Sequence, residues 1–299
     1  MQLVTAYISV VLIWATTPLA IQWSSESVGF LFGISSRMIL GAVIAFSLIT
    51  FLGKKIAWNK KAIQTYIAVG LGLFTAMLSV YWSSQFIPSG WISTIYGITP
   101  VFTGLFAMKL LGERGLNSFR LFAIVLGIIG LFIMFDTGLK LSPDTGYGIF
   151  GVLMSSIFYS LSMVIVKKIN ADIETYSTMT GGLIVAAILF LIVWNIFGVE
   201  IPTTIPTRAG FSILYLSIIG SVVGFYLFYF VLKRVEATRV SLITLMTPVC
   251  ALFLGNILNN EPLSLQIVIG SAFILSGLLL FEFEGAIRQR KIINIEEEL

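Results

Sequence analysis

Nearly all of this chain consists of apolar stretches about as long as a bilayer is thick, separated by short polar turns. A helix needs about 20 mostly apolar residues to cross the hydrocarbon core of a membrane. Only 11% of the 299 residues are charged, against about 25% in soluble domains. The sequence therefore predicts an all-α polytopic membrane protein. We mark ten predicted spans: 2–21, 29–52, 63–84, 89–111, 118–135, 147–166, 176–197, 209–232, 237–258 and 264–283.

The second half of the chain repeats part of the first. The window 81–113 matches 229–261 without a gap at eight positions, which in the first copy are Tyr81, Ser93, Ile95, Thr99, Pro100, Val101, Leu110 and Glu113. A weaker alignment pairs Gly130 with Gly277 and Ala123 with Gly270, and Trp14 and Tyr159 fall at similar places. Such self-similarity bears directly on the fold. It predicts two five-helix repeats, 1–140 and 146–284, followed by a cytoplasmic tail, 285–299.

The basic residues orient the predicted spans. Of the 18 Lys and Arg residues, fifteen fall on the side of the two termini, Lys140 and Arg208 fall on the other side, and Arg37 lies inside a span. Basic residues favour the cytoplasmic side of a membrane, so both termini are predicted to be cytoplasmic. The fourth span then runs inward and the ninth outward, which makes the repeats inverted. The basic surplus is explained by topology and anionic lipid, and nucleic-acid binding is not expected.

Two prolines of the repeat lie near the middle of their spans. Pro100 frees the backbone carbonyl of Tyr96, and Pro248 frees that of Thr244, because proline lacks an N–H. A freed carbonyl at membrane depth needs a polar partner or a cavity. The two prolines are predicted to break or gate helices, or else to shape packing only. Glu113 and Glu261, at the ends of the two copies, are candidates for gating or are simply interfacial charges.

Arg37 is the only basic residue within a predicted span. A charge at this depth is a candidate functional group, and a guanidinium binds carboxylate or phosphate as a planar donor. The alternative is a structural role, in which Arg37 satisfies freed carbonyls or extends its side chain towards the interface.

Aromatic and hydroxyl side chains provide further candidates for a binding pocket. Each combines an apolar body with a polar tip, so together they could line a site for an amphipathic or aromatic solute, or separately belong to the bundle core. The predicted substrate-binding residues are Trp14, Arg37, Tyr81, Gln85, Tyr96, Thr99, Tyr159, Tyr226, Tyr229 and Thr244.

The chain resembles the EamA-type carriers of the drug/metabolite transporter superfamily over essentially its whole length. The resemblance rests on Ile13-Trp14-Ala15, on Arg37, on Thr99-Pro100-Val101 with Leu111-Gly112-Glu113, and on Thr247-Pro248-Val249 with Asn259-Asn260-Glu261-Pro262. It implies two inverted five-helix repeats around a central cavity lined by spans 1, 3, 4, 6, 8 and 9. It also implies export of metabolites, amino acids or drugs. Thr244 replaces Tyr96 and Lys233 replaces Gln85 in the second copy, so we expect an asymmetric cavity.

These observations predict a secondary transporter in the inner membrane that works by alternating access on a small solute. A P-loop is absent from the sequence, so ATP is not expected to drive it. The chain has no histidine, one cysteine (Cys250) and no carboxylate in the middle of a span, which argues against an enzyme, a metal site and a cofactor. A sugar-phosphate or nucleotide-sugar antiporter and a channel remain alternatives. A monomer is plausible.

Overall fold

The computed structural model describes residues 2–112, 118–135, 142–241, 243–277 and 279–280. Glu113, a predicted gating residue, and the whole predicted tail, 285–299, lie outside these ranges. We label the helices α1 Gln2–Ser25, α2 Phe30–Phe51, α3 Lys60–Ser83, α4 Ser89–Leu111, α5 Ser118–Phe135, α6 Thr145–Ile169, α7 Thr175–Ile196, α8 Thr207–Arg234, α9 Ile243–Asn259 and α10 Leu265–Gly277. A single helical turn, Ala237–Val240, precedes α9.

Within the described ranges, seven helices (α1–α4 and α6–α8) are long and apolar enough to cross a membrane. The described parts of α5, α9 and α10 are shorter. Large apolar side chains face outward, among them Phe132, Phe150 and Phe211, which are 70%, 57% and 69% exposed. Water-soluble proteins rarely expose wide apolar surfaces, whereas lipid solvates them. The all-helical fold is thus confirmed, and the count of ten transmembrane helices stays a prediction.

Two helices are interrupted. The α4 helix consists of Ser89–Tyr96 and Thr99–Leu111, so it breaks just before Pro100 as predicted. Pro248 lies inside α9, which continues through it. The α8 helix contains a π-helical segment, Leu216–Val223, between two α-helical parts. The sequence analysis did not predict this π-helical segment.

The two halves of the chain pack on each other in matching pairs. The α1 helix packs on α8 and α9, and α6 packs on α3 and α4. The α2 helix packs on α8, and α7 packs on α3. Two further pairs, α2 with α7 and α4 with α9, join each helix to its own counterpart. Exchanging helix n for helix n + 5 maps each of these six helix pairs onto another of them or onto itself, which is expected where a pseudo-two-fold axis relates two repeats.

The contact between α5 and α10 shows the same exchange of equivalent positions, here between individual residues. A Cβ atom at Gly130 would lie 2.5 Å from the carbonyl oxygen of Gly270, and one at Gly277 would lie 2.5 Å from that of Ala123. The sequence alignment pairs Gly130 with Gly277 and Ala123 with Gly270. Each contact is therefore the image of the other, and glycine allows the two backbones to meet.

Glycines also bring α3 and α7 together. A Cβ atom at Gly182 would lie 1.9 Å from Cγ1 of Val69, and one at Gly181 would lie 2.4 Å from the ring of Tyr66. The helix pair is further joined by Tyr66, whose hydroxyl lies 2.6 Å from Oγ of Ser177. These glycines and this hydrogen bond hold α3 closely against α7.

Candidate functional site

A cavity of about 80 Å³ lies in the middle of the helix bundle. One ordered water needs roughly 10–15 Å³ of such space, so this cavity can hold several waters or a small organic group. Five of the predicted binding residues line it: Trp14, Arg37, Tyr96, Tyr159 and Thr244. The other lining residues are Thr17, Pro18, Ile21, Met77, Val80, Ile92, Ser93, Phe225 and Thr247. We call this space the central cavity.

Among the described residues that line the central cavity, Arg37 is the only basic one, and it is 1% exposed. Its Nε donates to Oγ of Ser221 at 3.0 Å, and its Nη1 lies 3.9 Å from Sδ of Met77. No carboxylate of the described residues lies within 4.0 Å of the guanidinium. A buried charge without a counter-ion is costly by several kcal/mol, so the guanidinium is suited to an anion that enters the cavity.

The π-helical segment of α8 forms the wall behind Arg37. Ser217 donates to the backbone carbonyl of Arg37 at 3.2 Å, and Ser221 accepts from its guanidinium. A Cβ atom at Gly220 would lie 3.4 Å from Nη2 of Arg37, which leaves little space for a larger residue. Single π-helical turns are frequent at functional sites. The spacing Ser217-x-x-Gly220-Ser221 is the sequence signal that could have pointed to this wall.

Two hydroxyl groups line the central cavity without a partner. Oγ of Ser93 and the hydroxyl of Tyr159 are buried and have no hydrogen bond to any described residue. An unsatisfied buried polar group costs about 1–3 kcal/mol, so both are ready to bond a solute or water. Ser93 was not among the predicted binding residues, although its identity in both copies of the repeat could have singled it out.

Aromatic rings close one side of the cavity. The ring of Trp14 meets that of Tyr159 edge-on with centroids 6.0 Å apart, and it lies 5.1 Å from Phe228 and 6.4 Å from Phe225. Of these rings, Trp14, Tyr159 and Phe225 line the cavity and, together with Ile21, supply its apolar surface. The site can therefore receive a small amphipathic molecule with one anionic end.

The Thr-Pro pairs satisfy the carbonyls that their prolines free. Thr99 donates to the carbonyl of Tyr96 at 2.5 Å, and Thr247 donates to that of Thr244 at 3.3 Å. Thr99 thus lies behind the cavity wall and supports Tyr96, whose hydroxyl bonds Ser155. The carbonyls expected to need a polar partner have one within the motif itself.

The remaining predicted binding residues lie outside the central cavity. Tyr81 is fully buried and accepts a hydrogen bond from Ser24 at 3.3 Å. Tyr226 is 38% exposed and stacks on Phe230, on the outside of the bundle. Gln85 and Tyr229 line two other spaces, at opposite ends of the bundle.

These two spaces occupy matching places in the two repeats. The lysine pocket, about 50 Å³, is lined by Thr65, Val166, Lys167, Asn170, Ala171, Ile173, Thr175, Thr178, Tyr229, Leu232 and Lys233. The glutamine pocket, about 330 Å³, is lined by Gln22, Trp23, Ser25, Glu26, Ser84, Gln85, Arg208 and Asn259. Gln22 donates to the carbonyl of Ile87 at 2.9 Å, and Lys167 donates to that of Val235 at 2.8 Å. The repeat alignment pairs Ile87 with Val235, so the two bonds are counterparts.

Glu261 is buried at the N-terminus of α4. Its Oε1 accepts from the backbone N–H and the hydroxyl of Ser89, at 3.1 and 2.7 Å, and its Oε2 accepts from the N–H of Gly90 at 3.1 Å. A carboxylate in this place accepts hydrogen bonds from N–H groups that have no partner within the helix, and it interacts favourably with the helix dipole. Glu261 thus connects the second repeat to the broken helix of the first. Among the described residues, no three Cys, Asp or Glu side chains cluster as a metal site would require.

The sequence matches a known family over most of its length. The model of the EamA-like transporter family matches twice, at residues 3–136 and 146–283. The chain belongs to this family. It is therefore a multi-pass membrane transporter of small molecules, not an enzyme.

Similar proteins agree with this assignment. "Uncharacterized transporter YoaV" of Bacillus subtilis (strain 168) is 24% identical over 278 residues, which cover 92% of this chain and 95% of the relative. "Uncharacterized inner membrane transporter YedA" of Escherichia coli (strain K12) is 24% identical over 267 residues, which cover 87% and 83%. A solved structure described as "Crystal structure of protein" matches with a TM-score of 0.67 at 17% identity, over 92% of this chain and 94% of that one. At this identity, the structural match establishes the fold alone.

Proposed function

We propose that this EamA-family member is a secondary transporter that binds a small carboxylate-bearing metabolite in the central cavity and exports it by alternating access. Amino acids and amphipathic or aromatic acids are the solutes we propose. The ten helices form two inverted repeats, both termini are cytoplasmic, and the membrane is the inner membrane. Export follows the family resemblance, and orientation follows the distribution of basic residues.

The main support for a carboxylate substrate is the environment of Arg37. It is buried at the central cavity, and no described carboxylate neutralises it. The second repeat offers an internal comparison. Trp14 and Tyr159 are 145 residues apart, and at this spacing Arg37 corresponds to Gly182. The windows 81–113 and 229–261 are 148 residues apart, and at that spacing Val69 corresponds to Ser217. Gly182 packs directly on Val69. The helix crossing therefore forms without an arginine, which supports a binding role for Arg37 over a structural one.

The remaining lining residues limit the solute. Ser93 and Tyr159 offer free hydroxyl groups, and Trp14 with Phe225 offers aromatic surface. A sugar phosphate or nucleotide sugar carries two or more negative charges and needs several cations. Among the described lining residues, Arg37 is the only cation. A solute with a single carboxylate and an apolar body matches this chemistry better.

The paired contacts between the halves support alternating access over a channel. Transporters of this kind rock one repeat against the other around a site formed by broken helices. Here the broken helix α4 and the π-containing helix α8 both contribute to the central cavity, through Ile92 and Tyr96 and through Phe225. A channel would need a ring of charges or of carbonyls along an open pore, and the residues of the described cavity form no such ring.

Thermal unfolding of the purified protein in detergent, with a panel of amino acids and aromatic acids and their matched amides, tests the substrate class. We expect the acids, and not the amides, to raise the melting temperature, because a ligand that binds the folded state stabilises it. Arg37→Gln should weaken acid binding at least tenfold, since a charge-assisted hydrogen bond contributes about 1.5–3 kcal/mol. Arg234→Gln, at an exposed arginine of α8, is the matched control.

Flux into proteoliposomes tests the mechanism. Saturable uptake accelerated by solute on the opposite side is expected of a secondary carrier. A requirement for ATP, or unitary currents in a planar bilayer, would contradict it. Acid binding that is unchanged in Arg37→Gln would assign Arg37 to structure.

A further inference from the structure

We infer that the connection between α2 and α3 is a docking surface for the headgroups of anionic phospholipids. The surface consists of four lysines and one tryptophan that lie close together in the chain: Lys54, Lys55, Trp58, Lys60 and Lys61. We call it the Trp58 surface. The inference concerns a partner in the membrane, and it does not depend on which solute the central cavity binds. That the surface meets the cytoplasmic leaflet rests on the proposed orientation.

The positive charge of the Trp58 surface has no counter-charge in the part of the chain that the structure describes. All four lysines are exposed, and none forms an ion pair with a described carboxylate. Two acidic residues, Asp172 and Glu174, flank Ile173, which packs against this connection. Asp172 pairs with Lys233 at 3.6 Å, and neither carboxylate lies within 4.0 Å of the four lysines. Positive charge therefore remains for an external partner.

The second repeat neutralises the charge at the equivalent position. At the spacing of 148 residues, Lys60 corresponds to Arg208. Arg208 forms an ion pair with both carboxylate oxygens of Glu26, through Nε at 2.8 Å and Nη2 at 2.5 Å. At the spacing of 145 residues, Glu26 corresponds to Ala171, so Lys60 has no such partner. The equivalent connection, 197–206, contains no lysine or arginine. The fold thus forms this connection without uncompensated positive charge.

The places of Lys60 and Lys61 argue against a role in helix stability. They are the first two residues of α3, which has no acidic residue in its first turn. Positive charges at this end of a helix interact unfavourably with the helix dipole. The preference of basic residues for the cytoplasmic side requires no particular place within a loop. An anionic headgroup beside these lysines would offset the unfavourable interaction.

The connection is held in place around the exposed ring of Trp58. The N–H of Ala57 donates to Oγ of Ser177 at 3.0 Å. Asn59 caps α3 by accepting from the N–H of Ala62 at 2.9 Å. Between these two anchored residues, Trp58 is 76% exposed. Tryptophan is enriched at the level of the lipid headgroups, so the anchored connection presents an interfacial ring together with the ammonium groups.

The lipid-facing side of α2 extends to the Trp58 surface. Phe51 and Leu52, which precede Lys54 closely, are 88% and 57% exposed. Acyl chains solvate such side chains, whereas headgroups lie at the level of the lysines that follow. A phospholipid supplies both an apolar part and an anionic part. It therefore matches this arrangement better than a free anion does.

Thermal unfolding of the full chain in neutral detergent tests the surface. The probe is dioleoyl phosphatidylglycerol in mixed micelles, and dioleoyl phosphatidylcholine is the reference. We expect the anionic lipid to raise the melting temperature saturably, by about 4 °C. A lysine near an anionic surface contributes about fivefold in affinity. The double variant Lys60→Gln/Lys61→Gln should therefore shift the midpoint of the lipid titration about 25-fold. Without lipid it should melt no lower than the wild type, because neither lysine has a described ion-pair partner.

The matched control is Lys109→Gln/Lys168→Gln. These lysines are exposed in the last turns of α4 and α6, on the same predicted side of the membrane and outside the Trp58 surface. The control variant should leave the midpoint unchanged. An equal shift in the two double variants would overturn the inference, because attraction to the whole basic side would then explain the binding.

Fluorescence quenching tests the contribution of Trp58. Brominated phosphatidylglycerol should quench the tryptophan emission more than brominated phosphatidylcholine does, and this difference should vanish in Trp58→Phe. Glycerol phosphate, the headgroup without acyl chains, should not stabilise the protein. The inference is overturned if the quenching difference persists in Trp58→Phe. It is also overturned if phosphatidylcholine or glycerol phosphate stabilises the protein as much as phosphatidylglycerol does.

Discussion

The hydroxyl group of Thr99 accounts for the recurrence of threonine before proline in both repeats. Pro100 has no N–H, so the carbonyl of Tyr96 loses its helical partner. The Thr99 hydroxyl replaces that partner at 2.5 Å, and Thr247 does the same for Thr244 at 3.3 Å. The sequence identifies which carbonyls are freed, because that follows from chain geometry. It does not identify the donor, because the side-chain rotamer of the threonine decides this.

Replacing Thr99 with valine is therefore expected to destabilise the protein. The change keeps the shape of the side chain and leaves the Tyr96 carbonyl unpaired, at about 1–3 kcal/mol. Melting in detergent should fall by about 3–6 °C. Thr75→Val is the control, because Leu71, which accepts from the Thr75 hydroxyl at 2.8 Å, has no following proline to remove its helical bond. Equal effects of the two variants would contradict this explanation.

The sequence could identify those lining residues of the central cavity whose residue type or position is unusual in a membrane span. Arg37 is unusual because of its charge, and Trp14 because it lies mid-span beside a proline. Met77 lines the same cavity and carries no such signal, since methionine is ordinary in helix packing, and Ser93 is marked only by its identity in both copies of the repeat. Tyr226 has the same chemistry as Tyr159, yet its place in the helical turn directs it outward. Which face of a helix meets the cavity depends on tertiary packing.

At the scale of helices, hydropathy locates the spans well and their irregularities poorly. The predicted span 29–52 corresponds to Phe30–Phe51, and 63–84 to Lys60–Ser83. The break before Pro100 was expected because proline has no N–H to donate, whereas Pro248 lies inside α9 without breaking it. The π-helical segment Leu216–Val223 was not expected, because it contains no proline and its residues are ordinary for a membrane helix. The segment contains Ser217 and Ser221, and both form hydrogen bonds with Arg37 of another helix, α2.

The crossing of α3 and α7 should be sensitive to a single methyl group. In Gly182→Ala, the new Cβ would lie 1.9 Å from Cγ1 of Val69, and overpacking of this kind costs about 1–3 kcal/mol. We expect a lower melting temperature in detergent, and partial recovery in the double variant Gly182→Ala/Val69→Ala, because the second change restores space. Gly146→Ala is the control, since nothing lies within 4 Å of its Cβ position. Additive effects of the two changes would exclude direct contact as the cause.

For the whole molecule, the repeat fixes how the halves meet, and the charges indicate which end faces the cytoplasm. The alignment of Gly130 with Gly277 was made from sequence, and the contacts of α5 with α10 follow it. The contacts between α2 and α8, by contrast, involve residues without visible sequence similarity to their counterparts. Arg37 and Gly182 occupy matching places with unlike side chains, so the sequence relates them by spacing alone and not by similarity.

Labelling of matching positions tests the inverted orientation. Gln85 and Lys233 are equivalent in the two repeats and exposed at opposite ends of the bundle. In a Cys250→Ser background, a membrane-impermeant maleimide should modify Gln85→Cys in intact cells. It should modify Lys233→Cys only after the membrane is permeabilised. Modification of both from the same side would refute the inverted repeat.

The π-helical segment also means that α8 carries surplus length beside Arg37. An i→i+5 turn accommodates one residue more than an α-helical turn, and each residue of an α-helix turns the chain by about 100°. Deleting one residue upstream of Ser221 would remove this extra residue and rotate the Ser221 hydroxyl away from Nε of Arg37. The part of α8 after the π-helical segment would keep its lipid-facing side. The hydrogen bond between the guanidinium and Ser221 therefore depends on the helical register of α8. A shortened α8 would lose this bond while keeping every side chain that lines the cavity.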